Sequence, residues 1–381
     1  MRDFTFYNPA RMEFGEDKEK NIGQFVSEFS CKKVLIIYGS ERVKKNGLFE
    51  KVITSLDSKN IEFIDIGGVV SNPLLSKVNE AIKLAREKSV DAILAVGGGS
   101  VLDTAKAVAA GVKYDEDVWD FFCGKATVQE ALPMFSILTL AATGSEMDPY
   151  GVVMNDETKE KYTIISPYLY PKVSVINPEL MSTVTKDYLA YSAVDIISHC
   201  LDSYLTATYM PELNRTIIEN LIKTVMRTTE ILLENPNDYD ARAEFAWSSS
   251  MALNGITFVG GEGYAYDSHM LEHSVSALYD VPHGAGLAVT LPACMKWDSK
   301  QNSAPYKRFA KEVFGLIEVD EGIEALESWF KKIGAPTTLE ELNIPREAIN
   351  DIAENALGLV SVFGFTDRLP KETMIEILEL A

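Results

Sequence analysis

The sequence predicts an α/β domain with a parallel sheet over residues 1–182, followed by an all-helical domain over residues 183–381. Three observations carry this prediction. A length of 381 residues exceeds what one hydrophobic core usually supports, so two cores are expected. Short apolar runs alternate with amphipathic stretches through the first half, the order that builds a parallel sheet covered by helices. After about Val175 strand signals fade and long segments with helical periodicity take over.

Lys33–Tyr38 (KVLIIY), Glu62–Ile66 (EFIDI), Asp91–Val96 (DAILAV) and Met134–Leu140 (MFSILTL) read as buried strands, being short, apolar and bounded by Gly, Asn or Pro. Between them, Gly47–Lys59 and Leu74–Lys88 carry helical spacing. Ser71-Asn72-Pro73 precedes the second with a capping residue and a helix-starting proline. Asn177-Pro178 and Ser182–Thr185 mark the junction. Helices are expected over Lys186–Thr206, Glu212–Glu234, Ala241–Phe258 and Ser268–Tyr279, and on towards the C-terminus.

Composition narrows the function. Acidic residues outnumber basic ones 56 to 36, and the net charge of −20 repels nucleic acid and anionic lipid at long range. Neither is an expected partner. The N-terminal MRDFTFYNPARMEFGEDKEK lacks a basic segment leading into an apolar one, so no secretory leader is expected. The longest uncharged run, Phe245–Gly261, contains serines and an asparagine and falls short of a bilayer span. Cys31, Cys123, Cys200 and Cys294 form no C-x-x-C pair, which disfavours a disulfide framework or a thiolate zinc site. A reducing, cytoplasmic setting is expected.

Asp91–Lys106 reads DAILAVGGGSVLDTAK: an apolar strand, three glycines and a serine, then a helix starting near Ser100. Glycines let the backbone approach a phosphate, and the free N–H groups at a helix start attract its charge. Such a mechanism is local and works within an acidic protein. Thr139–Glu146 (TLAATGSE) is a second strand-terminal loop able to flank the same nucleotide. Arg42, Lys44 and Lys45, in Gly39–Lys45 after the first strand, form a basic cluster suited to a 2′-phosphate. A tight turn and a solvated charge run are the plainer readings of these features.

The four histidines, His199, His269, His273 and His283, all lie in the helical half. Asp195 and His199 are one helical turn apart among apolar residues, where a lone carboxylate is costly without a cation or a firm hydrogen-bond partner. His269 and His273 share a helix face, and His283 follows Pro282. One carboxylate and several imidazoles suit iron(II) or zinc with a position open for substrate, although the residues alone leave open which histidines bind. A hydrogen-bonded helix face is the plainer reading. His269–His273 (HMLEH) also matches the H-x-x-E-H zinc-peptidase pattern with Glu272 as base, which leaves Asp195, His199 and the glycine turn without a role.

GGGSVLDTAKA, LTLAATGSEMD, the D-x-x-x-H of AVDIISH and HMLEHSVSALYDVPHGAGLAV occur in this order. NPARMEFG stands near the start and DYDARAEFAWSSSMALNG at Asp238–Gly255. From near Tyr7 to about Trp297 the chain resembles the iron-containing alcohol dehydrogenases, in particular the butanol dehydrogenase-like branch. The resemblance implies a nicotinamide-dinucleotide-binding domain, a helical metal-binding and substrate domain, and a cleft between them, the dehydroquinate synthase-like architecture. It implies Asp195, His199, His269 and His283 as ligands of Fe2+, with Zn2+ as the alternative, and His273 as a proton relay. Gly97, Gly98, Gly99 and Ser100 would cradle the pyrophosphate, and Asp103 would lie near the nicotinamide and join His273 in catalysis. Gly39, Ser40, Arg42, Asn72, Thr139, Leu140, Thr143 and Lys161 would complete the cofactor site.

The activity so implied interconverts a short or medium primary alcohol and its aldehyde by hydride transfer, in a homodimer. A glycerol dehydrogenase-like or other polyol or lactaldehyde oxidoreductase of the same superfamily is the alternative. The loop YGSERVKKNG lacks the aspartate that NAD-preferring members place after the first strand, so NADP(H) is the expected cofactor. Glu41 could accept a ribose hydroxyl, which keeps NAD(H) open.

Overall fold

The apolar runs of the first half line up as one parallel sheet. In the computed structural model, which describes residues 1–381, its strands are β1 (Arg11–Phe14), β2 (Lys33–Tyr38), β3 (Glu62–Ile66), β4 (Ala92–Gly97), β5 (Met134–Leu138) and β8 (Val173–Ile176). Their order is β1-β8-β5-β4-β2-β3. β4 and β5 are buried at every residue, as a sheet covered on both faces requires. Tyr38 pairs with Val96 and Gly97 with Leu138, so the carboxyl ends of β2, β4 and β5 lie along one edge.

Several elements depart from expectation. β1 and β8 are four residues each, too short for periodicity to reveal. Ser174 interrupts the apolar pattern of β8, yet it is satisfied inside: it accepts from Ser136 Oγ and donates to the Glu146 carbonyl, both at 2.7 Å. β6 (Tyr150–Asn155) and β7 (Glu160–Ile165) form a separate antiparallel hairpin. The Asn155 side chain closes its turn by accepting from the N–H groups of Glu157 and Thr158.

The chain divides into two compact units, Tyr7–Thr183 and Val184–Ala381, and Met1–Phe6 belongs with the second. Residues 1–6, assigned from sequence to the α/β domain, are therefore moved. The Met1 amine donates to Tyr209 Oη (2.6 Å) and Arg2 N–H to the Gly260 carbonyl (3.0 Å), contacts that only tertiary structure supplies.

The second unit is helical. Its principal helices are Lys186–Thr206, Glu212–Glu234, Tyr239–Leu253, Asp267–Tyr279 and His283–Asp298. Local chemistry sets their ends. The Asp238 carboxylate caps the Ala241 N–H at 2.9 Å, so the third helix starts at Tyr239 rather than Ala241. It stops at Leu253 rather than Phe258, where Asn254 and then Gly255, at φ 104°, turn the chain. The Lys186–Thr206 helix is buried almost throughout and carries Asp195, Ser198, His199 and Asp202 inside with its apolar residues. No helix is long and apolar enough to cross a membrane.

Candidate metal centre and nucleotide cradle

Three segments of the helical unit converge on one carboxylate. Asp195 and His199 sit a turn apart on Lys186–Thr206, His269 lies in the first turn of Asp267–Tyr279, and His283 opens the next helix after Pro282. Asp195 Oδ1 lies 3.7 Å from His199 Nδ1, 3.9 Å from His269 Nε2 and 3.6 Å from His283 Nε2. Asp195 Oδ1, His199 Nδ1 and His269 Nε2 are buried and have no hydrogen-bond partner. Three unmet polar atoms facing one another are costly unless something binds them together. Their separations are too long for hydrogen bonds and near the edge, about 3.4 Å, of a tetrahedron around a metal with ~2.1 Å bonds. The donor set fits a divalent metal.

The electrostatics agree. Burial pushes the His199 imidazole down to about 4, leaving the neutral ring that a metal requires. Burial opposes protonation of His269, but the nearby Asp195 carboxylate and the hydrogen-bonded Asp202 carboxylate overcome it and raise this histidine to about 9. Burial likewise opposes ionisation of Asp195, and the neighbouring histidines still hold it down at about 2. A cation would take the place of the His269 proton.

Two further carboxylates touch the histidines from behind. Asp202 Oδ2 meets His269 Nδ1 at 2.6 Å and accepts from Ser268 Oγ at 2.8 Å. Glu272 contacts His283 Nδ1 through one oxygen and the Ser276 hydroxyl through the other. Sequence reasoning missed Asp202, although its place three residues after His199 puts it on the same helix face and was the available signal. The H-x-x-E-H reading fails on geometry, because Glu272 is fully buried and held by Ser276 and His283. His273 is buried beside this group, with its ring centre 5.7 Å from that of His283.

The α/β unit forms the second site. Its glycine turn lies at the carboxyl end of β4, and the helix Gly99–Gly111 starts one residue earlier than expected, with Gly98 preceding it. Packing requires glycine here: a Cβ on Gly97 would lie 2.4 Å from Val101 Cγ2, and one on Gly99 would lie 2.4 Å from Thr143 Cγ2. Leu140 packs on Gly98, and Thr139 N–H donates to the Gly97 carbonyl at 2.9 Å. The structure thus brings together the two loops that the sequence offered separately. Gly39 joins them through Val101. Asp103 is buried one turn into the helix and accepts from Ser145 Oγ at 2.7 Å; burial, reinforced by Asp148, pushes its carboxyl up to about 7. Lys161 Nζ donates to Asn72 Oδ1 at 3.1 Å, pairing two residues that sequence left unconnected.

The basic loop is less free than its composition suggested. Lys44 Nζ donates to Asp65 Oδ2 at 2.8 Å, and the Tyr38 hydroxyl meets both Glu41 and Asp65 at 3.0 Å. Arg42 donates to the Thr183 carbonyl at 2.7 Å, and its N–H lies 3.4 Å from Ser40 Oγ.

A glycine turn at the carboxyl end of a parallel strand in one unit and a buried histidine–aspartate cluster in the other match what a metal-dependent, nucleotide-using enzyme needs. Comparison with known proteins narrows this further. The family model described as "Iron-containing alcohol dehydrogenase" matches residues 9–178, and that described as "Fe-containing alcohol dehydrogenase family, C-terminal" matches residues 189–381. The chain belongs to this family, in its butanol dehydrogenase-like branch, and is an NAD(P)(H)-dependent alcohol dehydrogenase interconverting an alcohol and its aldehyde. A probable NADH-dependent butanol dehydrogenase of Bacillus subtilis is 36% identical over 100% of this chain and 99% of its own length. The NADPH-dependent aldehyde reductase YqhD of Escherichia coli is 31% identical over 92% of this chain and 91% of its own. Among solved structures, the NADH-dependent butanol dehydrogenase A of Thermotoga maritima superimposes with a TM-score of 0.97 at 45% identity, covering 100% of this chain and 99% of that one.

Proposed function

We propose that the enzyme acts on a short or medium straight-chain primary alcohol and its aldehyde at a divalent metal held by Asp195, His199, His269 and His283. The observation that carries this reading is the set of three buried, unpartnered atoms on Asp195, His199 and His269. The family supports Fe2+ as the metal, and Zn2+ accepts the same ligands. When bound, the metal supplies Lewis acidity towards a carbonyl oxygen and the nicotinamide supplies or accepts the hydride.

The chain does the rest. Backbone N–H groups of Gly97–Ser100 hold the pyrophosphate, aided by the positive end of the Gly99–Gly111 helix. Thr139, Leu140 and Thr143 line that turn, Gly39 and Ser40 border it, and Asn72 and Lys161 bind as a pair. Asp103, fixed by Ser145, orients the nicotinamide end. A ring nitrogen of His273 gives a proton to the substrate oxygen in reduction and takes it back in oxidation. Burial of Asp195, His199 and His273 limits water at the reacting atoms.

For the cofactor, the expected preference for NADP(H) rests on Arg42, Lys44 and Lys45. Lys44 is committed to Asp65, and Glu41 and Asp65 add negative charge beside it, which supports NAD(H). The butanol dehydrogenase relatives, named as NADH-dependent, support the same reading. A reducing cytoplasm follows the cysteine spacing, which offers no C-x-x-C pair, and a homodimer follows the family resemblance. The test is to load the protein with iron(II) or zinc, add reduced nicotinamide and straight-chain aldehydes of increasing length, and follow nicotinamide absorbance. No oxidation with any metal, cofactor or chain length overturns the proposal.

A further inference from the structure

The two carboxylates behind the histidines are unexplained by the ligand set. Asp202 and Glu272 come from different helices, yet each meets an imidazole Nδ1 and a serine hydroxyl, Asp202 with one oxygen, Oδ2, and Glu272 with one oxygen for each. In both cases the histidine's other nitrogen, Nε2, faces Asp195 Oδ1. A carboxylate at Nδ1 keeps the ring proton there and leaves the Nε2 lone pair free. The serines, Ser268 and Ser276, use up carboxylate lone pairs, so neither acid can rotate away without losing a buried hydrogen bond.

We propose that Asp202 and Glu272 are positioning residues: two serine-anchored clamps that fix the tautomer and aim of His269 and His283 and so set the metal affinity of the site. The glutamate of the H-x-x-E-H motif thereby has a use other than that of a peptidase base. Asp202 and Glu272 also add two negative charges against the far nitrogens of His269 and His283, so the clamps lower the potential at the rings that face Asp195 as well as orienting them. A carboxamide in either place can donate to Nδ1 and drive the proton to Nε2, where it blocks ligation.

The proposal rests on the ligand assignment above, and the two are tested separately with cobalt(II) added to metal-depleted protein. Binding is followed by calorimetry and by the visible spectrum. Wild type takes one equivalent, and His269→Ala loses it; saturable binding that His269→Ala retains, or none in wild type, overturns the ligand assignment. Asp202→Asn and Glu272→Gln keep the one-equivalent stoichiometry, raise the cobalt Kd by about 10–100-fold and shift the visible bands of the bound ion. A merely structural role would lower the amount of competent protein without moving those bands. Ser268→Ala and Ser276→Ala loosen each clamp by one hydrogen bond and raise the Kd by about 2–10-fold. They decide the matter if a carboxamide variant does not fold. Kd values within experimental error of wild type in all folded variants, with wild type binding one equivalent, overturn the positioning role while leaving the ligands intact.

Discussion

Lys106 Nζ lies 2.7 Å from Asp148 Oδ1, with both side chains buried, and donates also to the carbonyls of Asp148 and Tyr150. This pair staples the helix that follows the glycine turn to the start of β6. Taking away one partner strands a charge in the interior. Lys106→Met is expected to lower unfolding free energy by about 3–5 kcal/mol, measured by urea denaturation. A loss under about 1 kcal/mol would mean that Asp148 sheds its charge without cost.

Asp103 makes stability depend on pH. Burial raises its carboxyl from 3.8 to about 7 in the folded chain, so between those values the folded state keeps a proton that the unfolded state has lost. Stability from this group is therefore full below about pH 4 and declines as pH rises towards 7. Asp103→Asn removes the decline, and the variant should gain about 2–4 kcal/mol relative to wild type between pH 4 and pH 8. Parallel stability curves for the two proteins across that range would refute it.

Under the proposed function the histidines divide by role. His269→Ala and His283→Ala should lose bound metal by elemental analysis, since both face Asp195. His273→Ala should retain it and reduce kcat by about 10²–10⁴-fold, the usual worth of a placed acid–base group. Equal metal loss in all three would place His273 among the ligands.

Charge around Lys44 should govern the choice of nucleotide. Glu41→Gln with Asp65→Asn removes two carboxylates near the loop and frees Lys44, so kcat/KM with NADPH should rise about tenfold while that with NADH changes little. Arg42→Ala should raise KM for NADPH more than for NADH if Arg42 contacts the 2′-phosphate. Equal effects on both nucleotides would move the 2′ position away from this loop.

Much of this was legible in the sequence, because it is local. β2, β3 and the apolar core of β4 are continuous runs, and the glycine triplet declares the turn that follows a buried strand. The Asp195–His199 spacing declares one helix face. Four-residue β1 and β8 carry too little pattern, and Ser174 hides the second. By itself, then, the sequence determined the long apolar strands and the principal helices, the glycine turn and the pool of donor residues. Tertiary structure alone decided that Asp202 grips His269 across 67 residues, that Glu272 grips His283 instead of serving as a base, and that Asp65 neutralises Lys44. Periodicity registers which face a residue occupies. The partner waiting there comes from a distant segment, and it decides each group's proton, charge and role.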